Sequence, residues 1–97
     1  MIVVTRNEDG ISVKGHANYA EPGKDIVCAG VSILVQTLIQ SIEEQTTDQI
    51  QYSISPGSVD IKHGKLSERA QVLMASFFVG IRMIADEYPD NVSLSKH

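Results

Sequence analysis

The chain has 97 residues, enough for one domain with a core, yet short enough that self-association would add useful stability. Eight Lys and Arg against 12 Asp and Glu give a formal charge of -4, which speaks against general nucleic-acid binding and suits either a basic protein substrate or plain solubility. The single cysteine excludes an internal disulfide, a CxxC redox pair and a cysteine-rich zinc site, and it fits a reducing cytoplasm. No leader-like segment opens the chain and no apolar run is counted as long enough to span a bilayer, so a cytoplasmic protein without membrane contact is expected.

Ile2 to Arg6 is a β-branched run, Asn7-Glu8-Asp9-Gly10 carries turn chemistry, and Ile11 to His16 alternates, so the chain opens as a hairpin with Ile11 and Val13 toward the core. Strict alternation points His16 away from that core, with Ser12 and Lys14, unless Gly15 makes a bulge that re-aims it. Ala17, Asn18, Tyr19, Ala20, Glu21, Pro22, Gly23 and Lys24 read as a mobile loop, broken by Pro22 and Gly23 and carrying one large aromatic, Tyr19. It is either a lid over substrate or an ordinary connection.

From Asp25 to about Glu44 the pattern is helical. Val27, Val31, Leu34, Leu38 and Ile42 make one stripe, widened by Ile26, Ile33, Val35 and Ile39, which predicts a central, largely covered helix. Gln49 to Ser55 and Val59 to His63 alternate on either side of a Ser-Pro-Gly-Ser turn, a second hairpin. Ser67 is a good N-cap for a second helix that runs to about Glu87, before Pro89. Its apolar stripe is Ala70, Leu73, Met74, Phe77, Phe78, Ile81, Ile84 and Tyr88, while Val72, Val79 and Met83 lie off the stripe and are free to meet another subunit. Val92 and Leu94 suggest a last short strand. The sum is an α+β domain over residues 1–97: a two-layer sandwich in the order β-β-α-β-β-α-β, one mixed sheet of about five strands with two helices on one face.

The chemistry concentrates between Gly15 and Leu34. With Asp25 as N-cap, Cys28 falls in the first helical turn, among backbone N–H groups that lack partners within the helix. Those donors and the helix dipole favour a thiolate, an imidazolium at His16 favours it further, and a thiolate beside a histidine is an activated nucleophile. The same amides are placed to receive the oxyanion of a tetrahedral intermediate. The plainer reading of a lone cysteine on an apolar helix is a small buried hydrophobe. Ser32 lies one turn on from Cys28, on the same face, with a hydroxyl that reaches either the sulfur region and a substrate backbone or its own helix carbonyls. His63 reads as a strand-end surface residue and His97 carries still less information; three histidines without ligand spacing make no metal site, and no cofactor is expected.

The run Gly-His-Ala at 15–17, the loop containing Gly23, and Asp-Ile-Val-Cys-Ala-Gly-Val-Ser at 25–32 closely resemble the ribosomal-processing cysteine proteases of the Prp or YsxB-like family. Gly30 departs from a small residue that is more often alanine there. The resemblance implies a catalytic dyad of His16 and Cys28, with Gly15, Asp25 and Ser32 in support and residues 17–24 as a substrate loop. It implies removal of an N-terminal extension from a large-subunit ribosomal protein, number twenty-seven, during ribosome biogenesis, with that precursor as partner, and the family is also similar to dimeric folds. The short chain and its off-stripe apolar residues predict a homodimer as the active form, and the negative charge predicts no direct nucleic-acid contact. Two rivals use the same residues differently. A non-catalytic assembly adaptor would hold an extended peptide without needing a thiolate, and a thiol redox protein would oxidise Cys28 to a sulfenic acid and require an external thiol.

Overall fold

The computed structural model describes residues 1–96; His97 lies outside the described residues. Its elements follow the expected order: β1 (Ile2–Asn7), β2 (Gly10–Lys14), α1 (Ile26–Gln45), β3 (Ile50–Ser55), β4 (Ser58–His63), α2 (Glu68–Glu87) and β5 (Val92–Lys96). The strands form one sheet in the order β3-β4-β2-β1-β5. β1 pairs with β5 in parallel and every other neighbour pairs antiparallel, so the sheet is mixed. The fold is α+β, as the sequence predicts.

Alternation along the strands gives the sheet one apolar and one polar face. Ile2 and Val4 of β1, Ile11 and Val13 of β2, Ile61 of β4 and Val92 of β5 are buried with Val31, Val35, Leu38 and Ile42 of α1 and Met74, Phe77, Phe78 and Ile81 of α2. The opposite face carries a row that crosses all five strands, Ser53, Asp60, Ser12, Thr5 and Ser95, placed side by side by the strand register. The one salt bridge among the described residues, Lys14 to Asp60 at 2.6 Å, lies on this face. Both partners are well exposed, so the pair adds little stability.

Both helices start at the predicted caps. The Asp25 carboxylate accepts from Val27 and Cys28, and the Ser67 hydroxyl accepts from Ala70 N–H while donating to Asp48. Two glycines bring the helices close: a Cβ on Gly80 would sit 2.8 Å from Leu34 Cδ2, and one on Gly30 would sit 3.3 Å from Ile84 Cδ1. Gly30 faces the neighbouring helix, where a Cβ would meet only the tip of the Ile84 side chain.

Two expectations about α1 change. It is less covered than its sequence suggests: Val27, Val31, Val35, Leu38, Ile39 and Ile42 are buried, but Ile26 and Ile33 are well exposed, because α2 and the sheet together enclose only one side of the helix. It is also, at 20 residues, long and apolar enough by length and composition to cross a membrane, contrary to the sequence reading. Its buried stripe packs in the protein's own core.

Candidate active site

The strand that leads to His16 ends earlier than its alternation implies. β2 stops at Lys14, and Gly15 at φ +99° turns the chain out of the sheet while its N–H donates to Gly57 O at 2.9 Å. A side chain at residue 15 would collide with the Met1 carbonyl, so glycine is required by both conformation and space. The turn re-aims His16. Its imidazole lies against the β3–β4 turn, with Nε2 2.7 Å from the point where a Cβ on Gly57 would be.

Cys28 enters from the other side, on the first turn of α1 and partly buried. Its sulfur accepts a hydrogen bond from Ala17 N–H at 3.4 Å. The expectation that the first-turn amides are free to bind an oxyanion fails for two of the three: Val27 N–H and Cys28 N–H both donate to Asp25 Oδ1, at 3.0 and 2.9 Å, while Ala29 N–H, one residue on, donates to the Asp25 carbonyl. An N-cap that satisfies the helix end takes the donors the oxyanion would use. The donor that faces the sulfur comes instead from the residue after His16.

Asp25 also reaches back into the loop, where its Oδ2 accepts from Tyr19 N–H at 3.0 Å and Ala20 N–H at 3.3 Å. One carboxylate thus ties residues 19 and 20 to the helix start. Among the described residues it makes no hydrogen bond or ion pair with His16. The Cys28 N–H above all, with the Ala20, Tyr19 and Val27 N–H groups, holds its pKa below the ordinary 3.8, against a smaller opposing effect of desolvation. Because the folded value is depressed, the stabilisation from this clasp is present above about pH 3.8 and is lost as pH falls through the folded value. The Tyr19, Ala20, Val27 and Cys28 amide resonances are accordingly expected to shift together on acidification, with a common midpoint below 3.8. A midpoint at or above that value contradicts the assignment.

The loop expected to be mobile is anchored in its first half. Ala17 is 1% exposed, its carbonyl accepts from Asn91 Nδ2 at 2.9 Å, and the Tyr19 ring meets Tyr88 edge-to-face with centroids 5.2 Å apart. Asn18 takes a positive φ of 56°. The second half closes a turn through Lys24 N–H to Glu21 O at 2.9 Å, around Pro22 and Gly23.

Two cavities flank the cysteine. One of 460 Å³ runs between α1 and the second hairpin and is walled largely by aliphatic side chains, among them Val31, Val35, Ile54 and Val59. The other, of 690 Å³, lies under the loop against Asn18, Ala20, Pro22, Gly23, Lys24 and Asp25. Among the described residues His16, Cys28 and Ser32 alone line both cavities. An extended chain laid through the two would pass the sulfur at their junction. Ser32 is exposed there, and among the described residues its hydroxyl bonds neither the sulfur nor its own helix carbonyls. No hydrogen bond joins His16 to Cys28 in this structure; such bonds often tighten only with substrate in place. Gly15 lines the first cavity, while Tyr19 and Glu21 line neither.

Sequence reading missed Gly57, Pro56 and Asn91 as neighbours of the site. The Ser-Pro-Gly-Ser turn was visible, but nothing local says that it faces His16. Among the described residues no cluster of His, Cys, Asp and Glu could hold a metal ion.

Residues 1–93 match the model of the family described as cysteine protease Prp. The ribosomal processing cysteine protease Prp of Staphylococcus aureus is 29% identical over 99 residues, covering 95% of this chain and 93% of its own. Its Bacillus subtilis counterpart is 31% identical over 91 residues, covering 84% and 79%. The crystal structure of an essential ribosomal processing protease Prp from S. aureus, in complex with a covalently linked product peptide, matches with a TM-score of 0.95 at 25% identity, over 100% of both chains.

Proposed function

Since the chain belongs to the cysteine protease Prp family, we propose that it is an endopeptidase that removes the N-terminal extension of large-subunit ribosomal protein number twenty-seven in the cytoplasm during ribosome biogenesis. The observation that carries this reading is that His16, Cys28 and Ser32 stand together at the junction of two cavities able to receive chain on both sides of the sulfur. The S. aureus relative with a covalently linked product peptide supports a peptide as substrate.

In this mechanism Cys28 Sγ attacks the scissile carbonyl while His16 takes the thiol proton; His16 then returns that proton to the leaving amine, and water hydrolyses the acyl-enzyme. Asp25 holds the loop to the helix end, and Ala17 N–H supplies the donor at the sulfur. The aliphatic cavity favours apolar residues on one side of the cleaved bond. Mass spectrometry of the purified protein mixed with the extended and the mature ribosomal protein tests the reading. The extended form should lose its N-terminal peptide and the mature form should remain intact; an extended form left whole overturns it.

The active form is proposed to be a homodimer. On α2, Val72, Val79 and Met83 are 64%, 45% and 67% exposed on the side away from the core, whereas the uncovered sheet face is polar and makes a poorer apolar interface. Sedimentation at low micromolar concentration should give twice the chain mass, reverting to one chain mass in Val79→Glu. A fully active monomer at every concentration contradicts it.

A further inference from the structure

Of the contacts that hold residues 17–20, two come from the corner between α2 and β5, far from the site in sequence: the Tyr88 ring on Tyr19 and the Asn91 side chain on Ala17. Asn91 is itself braced through its backbone. Its N–H donates to Tyr88 O at 3.0 Å, and its carbonyl accepts from Ile2 N–H at 2.8 Å, tying it to the end of α2 and the start of β1. From this support Nδ2 donates to Ala17 O at 2.9 Å.

Ala17 is consequently held by both of its peptide groups. The N–H points to Cys28 Sγ and the carbonyl to Asn91. The peptide that carries this N–H is the one that leaves His16, so a rotation of Ala17 would move the donor off the sulfur and shift the backbone that carries the imidazole. We propose that Asn91 is a positioning residue for the cleavage reaction, its side-chain amide fixing Ala17 so that the N–H stays aimed at Cys28 and His16 keeps its place. The inference rests on Cys28 as nucleophile. The backbone at residue 91 does not itself demand asparagine, since Asn18 is the only non-glycine residue with positive φ among those described. What the side chain contributes is the donor, without which the carbonyl of a buried residue loses its partner.

Two variants remove the donor in different ways: Asn91→Asp is nearly isosteric and accepts only, and Asn91→Leu is uncharged. Both are expected to keep the wild-type circular dichroism spectrum, to lower kcat about tenfold with KM within about twofold, and to slow iodoacetamide alkylation of Cys28 at neutral pH several-fold, in line with the loss of one hydrogen bond that holds the Ala17 peptide beside the reacting groups. Agreement between the two separates the lost donor from any effect of added charge, and should Asn91→Leu not fold, Asn91→Asp decides. Wild-type kcat in a folded variant overturns the proposal, as does a raised KM with kcat intact, which would assign Asn91 to substrate binding. Cys28→Ala is assayed in parallel. If it still cleaves, the proposed function fails; if it is inactive while a folded Asn91 variant matches wild type, only the role of Asn91 fails.

Discussion

Cys28→Ala is expected to leave no measurable cleavage of the extended ribosomal protein while the precursor still binds. His16→Ala should lose about 10²- to 10⁴-fold in kcat, the usual contribution of a positioned general base. The two residues line the same pair of cavities, and a base matters only while there is a thiol for it to activate. The double variant should therefore be little worse than the worse single variant, as found for groups that act as a unit. Multiplied losses would mean that His16 acts elsewhere, and full activity in Cys28→Ala would end the nucleophile assignment. Cys28→Ser adds a further distinction, because a non-catalytic adaptor would keep both binding and its biological role whereas a protease would keep binding alone.

Gly57→Ala should reduce kcat about 10²-fold, although residue 57 has no chemistry of its own, because displacing a reacting group by about 1 Å is enough for such a loss. A Cβ at residue 57 would lie 2.7 Å from His16 Nε2 and 3.1 Å from Cε1, closer than non-bonded atoms settle, so the ring must swing aside. The turn at Gly57 has φ +69°, a region that costs a residue with a Cβ roughly 1–2 kcal/mol, so some thermal stability is lost as well. Gly64→Ala provides the comparison, since a Cβ there meets nothing within 4 Å and both activity and stability should stay near wild type. Kinetics on one peptide substrate, with a thermal melt for each variant, separates displacement of His16 from general destabilisation. A Gly57→Ala enzyme with near wild-type kcat would show that the imidazole is placed by something other than this turn.

Much of the fold is legible because its signals are local. Asn7-Glu8-Asp9-Gly10 and Ser55-Pro56-Gly57-Ser58 sit between alternating runs and become the two hairpin turns, and Asp25, Ser67 and Pro89 bound the helices where capping chemistry says they should. The off-stripe residues Val72, Val79 and Met83 are exposed, as the helical period requires. The candidate site is legible only in part. His16 and Cys28 do reach the same cleft, but period-two alternation gives the wrong direction for the imidazole, because it takes no account of the turn that Gly15 makes out of the sheet. The first-turn amides look free from sequence; the capping carboxylate three residues before Cys28 takes those of Val27 and Cys28.

Element order, the polar and apolar faces, the helix caps and one thiol near a helix start are written locally in the chain. Each follows from side-chain period, turn and capping chemistry or composition within a few residues of chain. What surrounds that thiol comes from strand pairing between distant segments. Pairing β2 with β4 brings the Gly57 turn beside Gly15 and the His16 ring, and pairing β1 with β5 carries Asn91 to Ile2 and the Ala17 carbonyl, 74 positions away in the chain. Such contacts depend on strand order and register, and no pattern local to either partner encodes them.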